Sequence, residues 1–396
     1  MLKVDIAKAY FQKDNGQLDL NQSLLLSGQF AGVCYDPEGF DKVKEEDEQK
    51  TIRRINLTKG NGHHSVYDHV HISFNITDMP KILVMVLNNE KVYTTSEKSL
   101  RYTKFSETDN SLVTKREVEL YNKWLEIFKN KINALYKDVF PPREIRTLAQ
   151  ENARAMISVF MPTTLIYTVS LRQINYIAAW FKKYIANHDI NNPFESKLAM
   201  SMQEFIDELS KLDVLDDDLM QNEKDRSISL FATNIKDKKE YFGDVYATTY
   251  EETFAGIAQA QRHRSVDYKI ELTEPAKFFV PPILEDDETL VAEWLKDIES
   301  IKNVYPIGQL VTVYERGLYE NFILKCEERL CSAAQLEVMR TTKATLSKYY
   351  ETLREVGDPL ADDLEKYTHG ARCTFPNYNC SMPCNFKEGI TLTRKI

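Results

Sequence analysis

Imidazole, hydroxyl and carboxylate groups are concentrated in one short segment, Gly62–His69, which contains His63, Ser65 and Asp68. The segment directly precedes residues 71–76, where polar and apolar side chains alternate as in a strand with one buried face. The pattern predicts a turn that presents these groups at the start of a strand. The groups could bind a polar ligand, or two of the histidines could bind a metal ion. Solvated surface histidines are the simplest alternative.

A second group of chemically active side chains lies in residues 97–102. Glu97, Ser99 and Arg101 occupy every second position, so an extended chain would place them on one face. Arginine provides the fork of donors that phosphate binds, serine adds a donor, and a carboxylate can accept a hydrogen bond from a ribose hydroxyl. The spacing fits a nucleotide site, although a solvated strand would explain it equally well.

A basic triplet stands in the second half of the chain. Arg262, His263 and Arg264 follow Gln259 and the apolar run at residues 254–258. Such a local concentration of positive charge in an acidic protein suits an anionic partner such as a cofactor pyrophosphate. A basic surface turn is the alternative.

One imidazole and three thiols lie close together near the end of the sequence, as His369, Cys373, Cys380 and Cys384. This composition could form a tetrahedral zinc site. The pair of cysteines two residues apart that marks many zinc sites is absent, so reduced, inert thiols are the alternative and no metal site is firmly predicted.

Composition limits the class of protein. The 396 residues include 51 Lys and Arg against 60 Asp and Glu, which gives a net charge of -9. This charge argues against a general nucleic-acid binder, whose affinity depends on neutralising phosphates. There is no long apolar run and no apolar N-terminal segment, so we expect neither a membrane span nor a secretory signal, and a cytoplasmic protein.

Apolar patterns predict two globular units in a mixed α/β (α+β) fold. Residues 118–136 and 144–185 have the spacing of long helices, and they follow the strand pattern of residues 71–76. A polar run at residues 216–226 is typical of a solvated linker. The predicted divisions are a first domain at residues 1–194, a helical linker at 195–226, a second domain at 227–366 and a cysteine-containing tail at 367–396.

An internal repeat supports two related domains. Residues 161–172 align without gaps on residues 305–316, and Pro, Thr, Val and Arg stay in register. Both segments lie at similar depths in the two predicted domains and lead into helical patterns. The sequence therefore predicts a tandem duplication.

Together, these motifs resemble those of the flavin-dependent thymidylate synthases. That family has a G-H-x-S-x-x-E-H turn, an Arg-His-Arg triplet, and the motifs E-x-S-x-R-Y, E-x-A-R and R-x-x-x-x-A-Q. In this chain the turn is Gly62–His69, with Asp68 where the family has Glu, and the next motifs are Glu97–Tyr102 and Glu151–Arg154. The triplet and the last motif, Arg329–Gln335, lie in the second domain. The resemblance implies two tandem thymidylate-synthase-complementing-type domains, each a mixed sheet with long helices.

The motifs are divided between the two copies in a complementary way. Asn-Glu-Lys at residues 89–91 stands in the place of the triplet in the first copy, and Phe181 stands in the place of Arg329. In the second copy, Leu272 and Glu274 stand in the places of Ser99 and Arg101. The family's active sites are assembled from several subunits of a homotetramer. The resemblance therefore implies a homodimer that acts as a pseudo-tetramer and keeps about half of the sites.

The resemblance also implies roles for single residues. The residues that would hold dUMP are Glu97, Ser99, Arg101, Arg154, Gln259 and Arg329. The residues that would line FAD and the adjoining folate site are His63, Ser65, Asp68, Arg172, Arg262, His263 and Arg264. Arg329 and His63 would be the catalytic residues.

The implied reaction is the reductive methylation of dUMP to dTMP. Methylenetetrahydrofolate would supply the carbon, reduced FAD the hydride, and NADPH the electrons that reduce the flavin. Guanidinium groups would stabilise negative charge that develops on the pyrimidine ring. Hydroxymethylation of dUMP or of another pyrimidine deoxynucleotide is one alternative. A non-catalytic nucleotide-binding relative is another, which Asp68 in place of Glu and the loss of one triplet would favour.

Overall fold

The computed structural model describes residues 2–99, 113–221, 229–232, 240–380, 383–384 and 386–396. The strands are β1 (Lys3–Ala9), β2 (His71–Pro80), β3 (Thr94–Glu97), β4 (Pro162–Ser170), β5 (Val245–Thr253), β6 (Asp267–Phe278) and β7 (Gln309–Leu318). The helices of the first half are α1 (Leu20–Gly32), α2 (Phe40–Val43), α3 (Glu48–Gly60), α4 (Lys81–Asn89), α5 (Lys115–Tyr136), α6 (Pro142–Ala153), α7 (Leu171–Asn187), α8 (Pro193–Ser210) and α9 (Asp217–Met220). They are followed by α10 (Phe254–Ala260), α11 (Glu288–Glu299), α12 (Tyr319–Arg329), α13 (Leu336–Val356), α14 (Leu360–Leu364) and α15 (Lys387–Ile390). None of these helices is both long and apolar enough to cross a membrane.

The first compact unit comprises residues 1–98 and 162–226. Its antiparallel sheet has the order β1-β2-β4-β3. Alternate residues of β2, namely Ile72, Phe74 and Ile76, are fully buried on one face, which confirms the strand predicted from the alternation. Helix α7 begins at a cap in which Ser170 Oγ accepts from the Gln173 amide at 3.1 Å.

The second compact unit comprises residues 99–161 and 227–396, with the antiparallel sheet order β5-β7-β6. Helices α5 and α6 belong to this unit, where α5 packs on α11 and α6 packs on α5. The rings of Trp124 and Trp294 meet edge to face at 4.8 Å, and Trp124 Nε1 donates to Asp297 Oδ2 at 3.0 Å. Each unit is therefore discontinuous in sequence, whereas the prediction placed contiguous domains at residues 1–194 and 227–366. The mixed helix and sheet class is confirmed.

The two units share one connectivity. The order is strand, helix, strand, strand, helix, given by β2-α4-β3-β4-α7 in the first unit and by β5-α10-β6-β7-α12 in the second. In both sheets the third of these strands lies between the first two. The first strands begin opposite the last residues of the third strands, where His71 pairs with Ser170 and Val245 pairs with Leu318. This pattern is what a duplication would produce, and the duplication itself stays a prediction.

The strand pairing also corrects the register of the repeat. The gapless alignment set Arg172 opposite Arg316, yet Arg172 lies in the first turn of α7 and Arg316 lies within β7. Aligning the ends of β4 and β7 shifts the register by a few residues and pairs the starts of α7 and α12. Phe181 then takes the same helical position in α7 as Arg329 takes in α12.

Three local predictions differ from the structure. Strand β4 lies within residues 144–185, which were predicted to be helical. It is a central strand with buried Leu165, Tyr167 and Val169, and its sequence does not distinguish it from a helix. The predicted helical linker contains α8, a helix that packs its apolar face on α7 through Phe205 and Phe181. The sequence of residues 329–338 also predicts a single amphipathic helix, but α12 ends at Arg329 and α13 begins at Leu336.

Candidate functional site

The histidine-rich segment forms a 3-10 helix, His64–His69, directly before β2, so the predicted turn is confirmed. Gly62 allows the chain to enter this turn because its φ is +67°. His63 and Ser65 are exposed, whereas His64 is buried with Nε2 at 3.1 Å from the Lys59 carbonyl oxygen. The turn can therefore present an imidazole and a hydroxyl group to a ligand at the surface of the first unit.

Asp68 joins this turn to the start of α7. Its carboxylate accepts from Ser170 Oγ at 2.6 Å and from Arg172 Nη1 at 2.7 Å. The ion pair fixes the Arg172 guanidinium group beside the turn, while both side chains keep more than a third of their surface exposed. The structure thus brings together two of the predicted cofactor-binding residues.

Glu97 ends β3 in contact with a lysine that the sequence did not single out. Lys81 Nζ, in the first turn of α4, donates to both carboxylate oxygens at 2.7 and 2.8 Å, and only 3% of the Glu97 side chain is exposed. A ligand would meet a neutralised carboxylate here. Ser99 is half-buried two residues later. Arg101 lies outside the described residues, as does the side chain of His263.

Two buried arginines of the second unit occupy the ends of helices. The resemblance implies that the E-x-A-R motif begins a helix, but here it ends α6. Arg154 directly follows α6, and its Nη2 donates to Gln335 Oε1. Arg329 ends α12 and donates from Nη2 to the Gln259 carbonyl oxygen at 2.5 Å. The arginines are 8% and 6% exposed. Arg154 Nε and Gln335 Nε2 are buried donors with no hydrogen-bond partner among the described residues. Such donors would be satisfied by a ligand that carries several acceptor oxygens.

Carboxylates lie near Arg154, whose Nη2 is 3.9 Å from Glu151 Oε1. Burial raises the pKa of Glu337, and the neighbouring Glu151 adds to the rise, while the Arg154 guanidinium group opposes it. Burial also raises the pKa of Glu252 to about 7, and repulsion from Glu337 adds to that shift. A β-carbon at residue 256 would lie 2.4 Å from Glu252 Oε1, so Gly256 leaves the space that the carboxylate occupies. The interior of the second unit thus holds a carboxyl group that titrates near neutral pH.

The basic triplet forms a short turn after α10. Arg262 and Arg264 are both exposed. Arg264 adopts a left-handed conformation with a φ of +58°, and its amide donates to the Gln261 carbonyl oxygen at 3.2 Å. The turn therefore offers two guanidinium groups to an anion at the surface.

Sequence reasoning missed the buried acids and bases of the second unit, which include Glu252, Glu315 and Lys325. A signal for one of them exists in the sequence. Glu315 falls in phase with the apolar residues Val311 and Val313 of β7, where a buried side chain is expected. A charged residue at such a position is more informative than an exposed one.

The cysteines near the end of the chain are free thiols. Among the described residues, no group of three or more His, Cys, Asp or Glu side chains could hold a metal ion. The zinc alternative at His369, Cys373, Cys380 and Cys384 therefore has no support. Burial raises the pKa of the Cys373 thiol, so this cysteine stays protonated at neutral pH.

Residues 19–203 match the family model described as thymidylate synthase complementing protein. A curated flavin-dependent thymidylate synthase from Thermococcus onnurineus (strain NA1) is 25% identical over 148 residues, which make up 36% of this chain and 57% of that protein. The chain thus spans less than two thirds of the length of that relative.

Solved structures show distant likeness. One is thymidylate synthase X from Helicobacter pylori, crystallised with FAD and dUMP. It is 14% identical, the superposition includes 56% of this chain and 100% of that chain, and the TM-score is 0.31. A UMP/dUMP methylase from Streptomyces cacaoi, bound to 5-Br dUMP, is 13% identical over 56% of this chain and 93% of its own, with a TM-score of 0.34.

Three of the motifs quoted for the resemblance lie within the matched span, namely Gly62–His69, Glu97–Tyr102 and Glu151–Arg154. The family resemblance is therefore confirmed over residues 19–203, which match the model of the thymidylate synthase complementing protein family.

Proposed function

We propose that this protein is a flavin-dependent enzyme that methylates dUMP to dTMP, with methylenetetrahydrofolate as carbon donor and NADPH as reductant. The family match over residues 19–203 and the name of the Thermococcus relative support this reaction class. The folate and the reductant come from the motif resemblance alone.

The observation that carries the proposal is the pair of buried arginines in the second unit. Arg154 and Arg329 are each held by a glutamine, and Arg154 Nε and Gln335 Nε2 have no hydrogen-bond partner among the described residues. A pyrimidine nucleotide carries phosphate and ring oxygens that could accept from these donors. In a buried site the guanidinium groups would also stabilise negative charge on the pyrimidine ring more strongly than in water. No protein nucleophile is required.

Further polar groups come from the other four members of the proposed dUMP set, Glu97, Ser99, Arg101 and Gln259. Lys81 neutralises Glu97, so we expect this carboxylate to orient a sugar hydroxyl and not to repel the phosphate. Ser99 acts as a hydrogen-bond donor.

Exposed hydrogen-bond donors on two surface turns are suited to bind FAD. Arg262 and Arg264 provide two exposed cations for a pyrophosphate, and His63 and Ser65 provide exposed polar groups on the turn that Asp68 and Arg172 hold. When bound, the flavin supplies hydride transfer. We propose that His63, Ser65, Asp68, Arg172, Arg262, His263 and Arg264 bind and orient the flavin and the folate, and that His63 with Arg329 flanks the reacting groups.

The complementary loss of motifs supports a homodimer that acts as a pseudo-tetramer. Phe181 is buried in α7 at the position that Arg329 takes in α12, and Val86 is buried in α4 at the position of Gln259 in α10. The first copy therefore lacks the polar groups that the second copy keeps. We propose one kind of competent site, built from residues that both copies contribute.

The first test is the visible absorption spectrum of the purified protein, followed by addition of dUMP, methylenetetrahydrofolate and NADPH and identification of the product by mass. A flavin band with dTMP supports the proposal. A flavin band with a hydroxymethyl product would instead assign the alternative one-carbon reaction. A protein that cannot be reconstituted with FAD would favour the non-catalytic relative.

Paired variants separate the two binding roles. Arg154→Met should weaken dUMP binding by about 10- to 100-fold, the cost of losing charge-assisted hydrogen bonds. Arg143→Met, an exposed arginine of the same helix, should leave it unchanged. Arg262→Ala should release the flavin, whereas Lys91→Ala, within the segment of the first copy that stands in the place of the triplet, should not. Calorimetry with dUMP and flavin absorbance after gel filtration measure these outcomes, and flavin loss in Lys91→Ala would contradict complementary decay.

A further inference from the structure

A buried ion pair lies between β7 and α12 of the second unit. Lys325 Nζ donates to Glu315 Oε2 at 2.6 Å, and the exposed fraction is 2% for the lysine side chain and 0% for the glutamate side chain. The hydroxyl groups of Tyr246 and Tyr250 donate to the same carboxylate. Three protein donors thus replace water around Glu315.

The first unit shows that the shared connectivity does not require this pair. Counted from the aligned ends of the strands and helices, Tyr167 of β4 corresponds to Glu315, and Ile177 of α7 corresponds to Lys325. Tyr167 and Ile177 are both fully buried. Burying two charges carries a desolvation cost of several kcal/mol per ion, and well-packed apolar replacements are often neutral or stabilising. The pair therefore indicates a role other than stability.

The position of the pair points to Arg329. Lys325 and Arg329 are four residues apart on α12 and therefore share one face of the helix. Lys325 Nζ lies 5.7 Å from the ring centre of Tyr268, and the Arg329 charge also acts on the Tyr268 hydroxyl group. Arg329 is the last residue of α12, and the last turn of a helix opens easily unless other contacts hold it.

A directional charged contact can fix the rotation of a helix, much as a buried polar residue fixes the register of a coiled coil. An apolar contact in the same place would tolerate small rotations. A rotation of α12 would move Arg329 away from the Gln259 carbonyl oxygen, to which its Nη2 donates at 2.5 Å.

We propose that Glu315 and Lys325 are positioning residues that hold the end of α12 and thereby aim Arg329 at the nucleotide. The nucleotide part of this inference rests on the proposed function, whereas the effect on α12 does not. Neither residue needs to touch the substrate.

The test uses the full chain with the double substitution Glu315→Gln/Lys325→Met, which removes both charges at nearly constant volume and leaves neither charge buried alone. The exposed pair Glu299–Lys302 provides the matched control, Glu299→Gln/Lys302→Met. Two quantities are measured. The first is the amide hydrogen exchange rate of residues 326–331. The second is the dUMP affinity of the double variant with and without Arg329→Ala, as in a double-mutant cycle.

We expect the double variant to keep its melting temperature or raise it, to exchange the amides at the end of α12 at least about tenfold faster, and to bind dUMP about tenfold more weakly. In the Arg329→Ala background the same double substitution should cause no further loss of affinity, because its effect passes through Arg329. The control pair should change neither quantity.

Unchanged exchange at the end of α12 in a folded variant would overturn the proposal, whether or not dUMP binds. Losses of affinity that add to those of Arg329→Ala would overturn it too. A wild-type protein that binds no dUMP would contradict the proposed function instead, and the exchange measurement would still decide the role of the pair. If the variant does not fold, Glu315→Tyr/Lys325→Ile, which installs the residues of the first unit, takes its place.

Discussion

Replacing Glu252 by glutamine should stabilise the second unit at high pH. The carboxyl group of Glu252 accepts from the Thr253 amide at 2.8 Å and from Thr341 Oγ1 at 2.7 Å. Burial and the neighbouring Glu337 raise its pKa from 4.5 to about 7, and the hydrogen bonds from Thr341 and Thr253 and the Lys325 charge oppose that rise. Below pH 7 the native protein therefore holds the uncharged acid, which the amide of glutamine imitates.

The size of the effect follows from the shift. Between pH 4.5 and pH 7 the native state binds more protons at Glu252 than the unfolded state, so the free energy of unfolding falls as pH rises through this range. At about 1.4 kcal/mol per pKa unit, the loss reaches about 3 kcal/mol above pH 7. Glu252→Gln removes this loss. Its advantage over the wild type should be about 1 kcal/mol at pH 5 and about 3 kcal/mol at pH 8.

Urea unfolding between pH 5 and pH 8, followed by tryptophan fluorescence, measures this difference. The second unit contains the buried Trp124 and Trp294, so its unfolding changes the signal strongly. Glu251→Gln is the matched control, because Glu251 is an adjacent, half-exposed residue that pairs with Lys277 at 2.6 Å. A stability difference between Glu252→Gln and the wild type that stays constant with pH would refute the reasoning.

Two further predictions concern the first unit. Arg54 holds the pKa of the Glu46 carboxyl group at about 2, so this pair stabilises the fold above pH 4.5, and the stabilisation disappears as pH falls toward 2. Glu46→Gln should therefore lower the free energy of urea unfolding by about 2–3 kcal/mol at pH 7, and a loss of the same size at pH 2 would contradict this cause. Gly28→Ala would place a β-carbon 2.6 Å from Ile55 Cγ1 between α1 and α3, and we expect it to lower stability by about 1–3 kcal/mol in the same assay, whereas an unchanged midpoint would show that the helices can separate without cost.

Local patterns predicted part of this structure well. The alternation at residues 71–76 predicted β2, and the apolar spacing at residues 118–136 predicted most of α5, because each pattern reflects one face that the element buries. The turn at Gly62–His69 was predicted from the crowding of polar groups before a strand. The exposed polar groups of this turn could thus be found from sequence.

Long-range packing could not be predicted in the same way. Nothing within residues 115–136 indicates that α5 packs on α11 through Trp124 and Trp294, because the contact joins segments far apart in sequence. The sequence of β4 predicts a helix, because the spacing of buried residues alone does not separate a short central strand from a helix. The Lys81–Glu97 pair was not predicted because its members belong to different elements, α4 and β3.

The two units differ at one pair of corresponding positions, and this contrast bears on function. The interface between β4 and α7 has the buried Tyr167 and Ile177 where the interface between β7 and α12 has Glu315 and Lys325. Since an apolar pair costs less, charges buried at only one of two corresponding interfaces are best explained by selection for a ligand or for the residues that hold it. On this argument Glu315 and Lys325 support the nucleotide site proposed for the second unit.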